Sequence, residues 1–73
     1  MQQTRPSPQE TEILRLMRSG LSYDKIAARL HLSESTVERR VRDLMRRSGA
    51  RSPFALGVLC VQLDWLPPLT VDG

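Results

Sequence analysis

Apolar residues recur at three- and four-residue intervals along most of the chain, which is the spacing of one face of an α-helix. The first such stripe is preceded by the start of a helix: Ser7 is the N-cap, Pro8 the first helical position, and Glu10 the capping-box partner three residues after the cap. The stripe ends before Gly20. The stripe consists of Ile13, Leu14, Leu16 and Met17. These signals predict a first helix that starts at Pro8 and buries one apolar face.

Three further segments carry the same combination of a cap, an apolar face and a stop. A short second helix is predicted from Ser22 to Leu30, and a third from Ser33 to about Ser48, where Gly49 ends it. Ser52-Pro53 repeats the serine–proline start and opens a fourth helix over about 53–65. No segment shows the strict alternation of a strand, so the predicted fold class is all-α with four helices.

Irregular sequence flanks the four predicted helices. Residues 1–6 are expected to form a disordered leader, and the proline pair at 67 and 68 begins a loose tail over 67–73. The single predicted domain therefore covers residues 7–66, which provides only a small core for a chain without disulfides.

The third predicted helix has two chemically different sides when its residues are projected at about 100° each. The apolar side, within about one third of the circumference, carries Val37, Val41, Leu44 and Met45. The opposite side carries Arg39, Arg42 and Arg46, with Arg40 and Arg47 on its flanks. One side is therefore expected to face the core, and the other to present a concentrated guanidinium surface.

The positive charge of the chain is concentrated in its central part. The net charge is +3, from 11 basic and 8 acidic residues. Segment 22–51 contains eight basic and four acidic residues and thus carries +4, which leaves −1 for the rest. Arginine outnumbers lysine ten to one, and the planar guanidinium suits phosphate groups and guanine edges. Such a localised basic segment indicates nucleic acid as the partner.

The composition also excludes several classes of function. One cysteine, Cys60, and one histidine, His31, are too few for a disulfide or a structural zinc site, so no cofactor is expected. The chain lacks a nucleophile–base pair and a glycine-rich phosphate loop, which argues against an enzyme. No secretory signal or bilayer-length apolar run occurs, so a soluble cytoplasmic protein without a membrane partner is expected.

Residues 22–47 have the arrangement of a helix-turn-helix motif, in which a short helix, a tight turn and a longer helix follow one another. His31 begins the turn, where a positive φ is expected. Ser33, Ser35 and Thr36 fall in the first turn of the longer helix, where hydroxyls and free backbone N–H groups bind phosphate. The basic residues that follow would then enter the major groove of DNA.

The segments SPQETEILRLMRSGLS, KIAARLHLSESTV and RRSGARSP resemble, in order and spacing, the LuxR-type (GerE-type) helix-turn-helix domain of bacterial transcription regulators. The resemblance covers about residues 7–63. It implies a four-helix domain, recognition of double-stranded DNA by the third helix and dimerisation largely through the fourth. The sequence departs from the family at Glu38, where lysine is common, and at Arg39 and Arg40, so a different DNA sequence is expected to be bound.

The helix-turn-helix frame and the charge pattern together predict individual DNA contacts. Base contacts are expected from Glu38, Arg39 and Arg42. Contacts to the DNA backbone are expected from Ser33, Ser35, Thr36, Arg40, Arg46 and Arg47. Two roles stay open at this point. Glu38 either accepts from a cytosine amino group or pairs with Arg42 at i,i+4, and Arg47 either binds phosphate or interacts with the dipole of its own helix.

The fourth predicted helix, within FALGVLCVQLDWL, is apolar on nearly all sides. The residues that can pack onto the small core are Ala55, Leu56, Leu59 and Leu63. Apolar residues left over on a soluble domain usually mark a partner surface. A C2 homodimer is therefore expected through the remaining residues, Gly57, Val58, Cys60, Val61 and Trp65.

The predicted function is that of a sequence-specific DNA-binding transcription regulator that acts as a homodimer. Two alternatives account for parts of the sequence. One is a promoter-binding helix-turn-helix similar to that of sigma factors, with RNA polymerase as its partner, which leaves the apolar fourth helix unexplained. The other is an interaction module that docks a regulatory protein through the fourth helix, which leaves the basic surface without a role.

Overall fold

The computed structural model describes residues 5–67 and confirms the all-α fold predicted from the sequence. Four helices lie in this range: α1 (Pro8–Arg18), α2 (Tyr23–Leu30), α3 (Glu34–Ser48) and α4 (Pro53–Gln62). Most of the predicted leader and tail, residues 1–4 and 68–73, lies outside the described residues.

Serine side chains start three of the four helices. Ser7 and Glu10 form a capping box, in which the Ser7 hydroxyl accepts from the Glu10 N–H at 3.2 Å and Glu10 Oε1 accepts from the Ser7 N–H at 2.9 Å. The hydroxyls of Ser33 and Ser52 accept from the backbone N–H three residues later, at 3.1 Å in both cases. Ser22 differs, because its hydroxyl donates to the Asp24 carboxylate at 2.5 Å and caps no N–H group.

A left-handed residue closes the turn between α2 and α3. His31 has φ 59° and ψ 41°, as the sequence predicts for this position. The N–H of the next residue, Leu32, donates to the carbonyl of Ala27 at 2.8 Å, which ends α2 abruptly. The chain therefore enters α3 after only three residues outside a helix, and the angle between the two helices is fixed locally.

The centre of the domain is α3, which packs against each of the other three helices. Its apolar side supplies three side chains that are at most 2% exposed, Val37, Val41 and Leu44. They meet fully buried residues of the other helices: Ile13, Ile26 and Leu56. The predicted stripe on α3 is therefore its buried side, and this packing directs the opposite side to solvent.

The fourth helix ends earlier than the sequence predicts. It stops at Gln62, and Asp64 adopts a left-handed conformation with φ 64°. The N–H groups of Trp65 and Leu66 then donate back to the carbonyl of Cys60, at 2.7 and 3.2 Å. The turn reverses the chain and carries two apolar side chains onto the core, which a continued helix would have left in water.

This reversal corrects two predictions about the fourth helix. Trp65 is only 8% exposed and Cys60 only 1%, so both belong to the core of the domain, and Trp65 does not lie on the predicted partner surface, whereas Cys60 still borders the groove between α1 and α4. Leu63, which was expected to pack inward, is 43% exposed instead. The reason is geometric, because the turn at Asp64 brings Trp65 and Leu66 against the core. These two side chains cover the part of the core onto which Leu63 was expected to pack.

Candidate nucleic-acid interface

The outward side of α3 presents three exposed arginines, Arg39, Arg42 and Arg46, which we call the arginine face. Arg40 is half-buried at its edge. The helix has 15 residues and is therefore about 22 Å long, and an α-helix of this kind fits the major groove of B-DNA. The arrangement brings together the predicted base-contacting arginines on one accessible surface.

Three hydroxyls meet at the N-terminus of α3 and form what we call the hydroxyl cluster. Ser33 Oγ lies 2.8 Å from Thr36 Oγ1 and 3.3 Å from Ser35 Oγ. Ser33 and Ser35 are exposed and Thr36 is half-buried. The positive end of the helix dipole lies at the same place, so the cluster is suited to hold a phosphate group next to the arginine face.

Glu38 lies on the side of α3 that faces the start of α2. Burial, and secondly the negative charge of Glu38, raises the pKa of Tyr23, the first residue of α2. Among residues 5–67, Glu38 has no arginine within ion-pair distance, so the alternative in which it pairs with Arg42 is not formed here. Its carboxylate therefore keeps its capacity to accept a hydrogen bond from a base.

Arg47 occupies a different environment from the one that a phosphate contact requires. Its side chain is only 20% exposed, and its Nη2 lies 2.8 Å from Oε1 of Glu10 while its Nε lies 3.1 Å from Oδ2 of Asp43. Both are ion-pair contacts, although the N–H directions miss hydrogen-bond alignment. The expected phosphate contact of Arg47 does not fit this position, because two carboxylates of the domain already neutralise the guanidinium.

Glu10 connects the start of α1 to the end of α3. It is 7% exposed and serves both the capping box with Ser7 and the ion pair with Arg47. Burial by itself raises the pKa of Glu10, but the interactions with Arg47 and Ser7 and the nearby charge of Arg40 outweigh it, so the pKa lies below its ordinary value of 4.5. The sequence signals the capping box but not the distant partner.

Because the folded state lowers the pKa of Glu10, its charge stabilises the domain above the ordinary pKa, and this contribution disappears as the pH falls through the lowered value. We expect Glu10→Gln, which can keep the capping box, to unfold more easily than wild type at pH 7. The difference in the free energy of unfolding should shrink on acidification below about pH 4.5. Urea denaturation between pH 3 and 7 measures it, and parallel pH profiles of the two proteins would contradict the assignment.

A second exposed surface, the apolar groove, lies between α1, the start of α2 and α4. The opposite wall includes Leu14, Met17, Leu21 and Tyr23, and the α4 residues along the groove are Pro53, Phe54, Gly57, Val58, Cys60 and Val61. Phe54 is 84% exposed and Val58 47%. Phe54 was missed from the sequence, although its spacing of four residues from Val58 places both on one side of the helix.

Other kinds of site are not seen in the part of the chain that the structure describes. Residues 5–67 contain no group of three or more histidine, cysteine or acidic side chains that could hold a metal ion. None of the helices there has the length and apolar character needed to cross a membrane.

The short helix α2, the left-handed turn at His31 and the arginine-bearing helix α3 define a helix-turn-helix DNA-binding domain. The family model of the luxR family of bacterial regulatory proteins (GerE) matches residues 7–59. The chain belongs to this family, which confirms the resemblance, and it is a DNA-binding domain of transcription regulation. Comparisons with curated proteins and with solved structures gave no match.

Proposed function

We propose that the domain binds double-stranded DNA sequence-specifically as a homodimer and carries out no catalytic step. In this proposal, α3 of each copy enters the major groove of one half-site of an imperfect inverted repeat. The observation that carries the proposal is the arginine face, which is exposed opposite the buried stripe of the helix-turn-helix and next to the hydroxyl cluster. The protein would act in the cytoplasm, where bacterial DNA lies.

The side chains divide into two groups of DNA contacts. Glu38, Arg39 and Arg42 contact base edges, where arginine can donate twice to guanine and glutamate can accept from cytosine. The contacts to phosphate come from Ser33, Ser35, Thr36 and Arg40, and from Arg46 where it exchanges its ion pair with Asp43 for a phosphate. Arg47 is left out of this set, because Glu10 and Asp43 hold its guanidinium inside the domain.

The apolar groove supports the homodimer. Exposed apolar surface on a small domain is unfavourable in water. Phe54 and Val58 are exposed along the apolar groove, which a second apolar helix would fill. Gly57 and Val61, both predicted for the interface, line the same groove. Trp65 is buried in the core outside the groove, and Cys60 borders the groove but is only 1% exposed, so the proposed contact surface consists of Phe54, Gly57, Val58 and Val61.

We expect Val58→Asp to abolish self-association, because a carboxylate in the apolar groove would lose its hydration on dimerisation. Leu63→Asp is the matched control, since Leu63 is 43% exposed against 47% for Val58 but lies outside the groove. Sedimentation equilibrium of wild type and both variants at micromolar concentration measures the effect. A wild type that stays monomeric at all accessible concentrations, or equal loss in both variants, contradicts a dimer through this groove.

Selection from a random duplex library at physiological salt, followed by sequencing of the bound pool, tests the proposed function. An enriched inverted repeat is expected. Enrichment of a single element without symmetry would favour a monomeric promoter-binding module of the sigma type. Retention without any enrichment, lost as salt rises, would show that the arginine face contacts phosphate only. The apolar groove would then be the main binding surface, as in a protein-interaction module.

A further inference from the structure

Two carboxylates lie within the surface that is proposed to bind DNA. Glu10 and Asp43 line one surface depression together with Arg39, Arg40, Arg42 and Arg46. The segment of α3 itself carries five arginines and three acids, Glu34, Glu38 and Asp43, so its net charge is +2. A carboxylate at this place opposes binding to the DNA polyanion.

Asp43 contacts two arginines at once. Its Oδ1 pairs with Nη2 of Arg46, and its Oδ2 lies 3.1 Å from Nε of Arg47. Arg47 is fixed in turn by Glu10 at 2.8 Å. Exposed ion pairs usually contribute little, because both side chains must be ordered to form them. Here the largely buried Arg47 already orders Asp43, which presents its second oxygen to Arg46, a side chain that is 80% exposed.

We propose that Asp43 is a positioning residue for DNA specificity, which holds the guanidinium of Arg46 back from phosphate and so weakens binding to nonspecific DNA. The inference rests on the proposed function of the arginine face. Among residues 5–67, Arg39 and Arg42 have no carboxylate within ion-pair distance and stay free to contact bases. The charges of Arg39 and Arg42 thereby remain available to bases, while the charge of Arg46, which contributes only to phosphate binding, is neutralised by Asp43.

Nonspecific DNA is more sensitive to this restraint than the target. Nonspecific binding consists of phosphate contacts, and the helix can shift along the duplex until a freed guanidinium meets a phosphate. At the target, base contacts fix the register of the helix, so Arg46 reaches a phosphate only where one lies at its position. Release of Arg46 is therefore expected to raise nonspecific affinity more than specific affinity.

The experiment compares wild type with Asp43→Asn on two probes, a scrambled duplex and the selected target duplex, by fluorescence anisotropy at 50–200 mM salt. One additional phosphate contact steepens the slope of log K against log salt by about 0.9, which is about 3.5-fold in affinity over this salt range. For Asp43→Asn, this steepening is expected on the scrambled duplex and a smaller one on the target duplex. The ratio of target affinity to scrambled-duplex affinity is therefore expected to fall. Circular dichroism verifies folding, and Asp43→Ala serves as a second variant with the same charge change.

Glu12→Gln is the matched control. Glu12 forms an i,i+3 pair with Arg15 at 3.4 Å on α1, and its replacement changes the net charge by the same amount away from the depression. Its effect is expected to be smaller, since Glu12 does not line the depression and contacts none of its arginines. Equal steepening by Glu12→Gln would show a general charge effect and overturn the proposal.

A double-mutant cycle separates restraint of Arg46 from direct repulsion of DNA by Asp43. In the Arg46→Gln background, Asp43→Asn is expected to give only the small gain from loss of the carboxylate's own repulsion, well below its gain in the wild-type background. A full gain there, or a changed base preference of the Asp43→Asn protein, overturns the proposal. The scrambled-duplex measurements do not depend on a target sequence, so failure of this inference is distinguishable from failure of the proposed function, which the library selection tests separately.

Discussion

Trp65→Ala is expected to lower the free energy of unfolding by about 3–5 kcal/mol, because it removes a large side chain that is 8% exposed and leaves a cavity beneath it. A domain of 73 residues has a free energy of unfolding of roughly 4–11 kcal/mol, so this loss is a large fraction of the total. Urea denaturation followed by circular dichroism measures the loss without using the single tryptophan as a probe. Phe54→Ala, at a residue that is 84% exposed, is expected to change the unfolding of the monomer by only about 0.5 kcal/mol.

The dependence on protein concentration distinguishes a core residue from a dimer contact. If Trp65 acts within one domain, the destabilisation is the same at low and high protein concentration. If it acted across an interface, the stability advantage of the wild type would grow with concentration, since association stabilises the native state by mass action. That second outcome would contradict the burial of Trp65 inside the domain.

Arg42→Ala is expected to weaken binding to the selected duplex by about 1–3 kcal/mol and to relax the preference for one base pair of the half-site. In the proposed function Arg42 contacts guanine through two hydrogen bonds, and the substitution would remove this contact while the phosphate contacts remain. Titration against the target and against duplexes substituted at each position measures both effects. Arg15→Ala, which removes an exposed arginine of α1, is the control and is expected to leave base preference unchanged. An equal loss on every sequence would show that Arg42 contacts phosphate only.

Features that depend on neighbouring residues were predictable from the sequence. The capping box at Ser7, the left-handed conformation of His31 and the two sides of α3 each follow from residues within one or two helical turns. The arginine face could be predicted for the same reason, because helical periodicity alone places the charged residues opposite the buried stripe.

Features that depend on distant partners were not predictable. The apolar run through α4 continues past Gln62 without glycine, so the local pattern marks the left-handed turn only weakly, through Asp64, a residue type that adopts this conformation more readily than most. Reversal of the chain depends on where the core has space for Trp65 and Leu66, which only the packing of the other helices decides. The engagement of Arg47 by Glu10 likewise needs α1 and α3 to be in contact, and periodicity along α3 carries no information about α1.

The reversal after α4 has a consequence for transplanting the domain between proteins. The family match ends at residue 59, yet three of the buried side chains, Cys60, Trp65 and Leu66, come later in the chain. Arg18 of α1 also donates to the carbonyl oxygen of Pro67 at 2.5 Å, so a hydrogen bond connects the last described residue to the first helix. A chimaera joined at the family boundary would contain all of α3 but would lack three of the side chains that fill the core. A segment that is to fold when moved into another protein must therefore extend at least through Pro67.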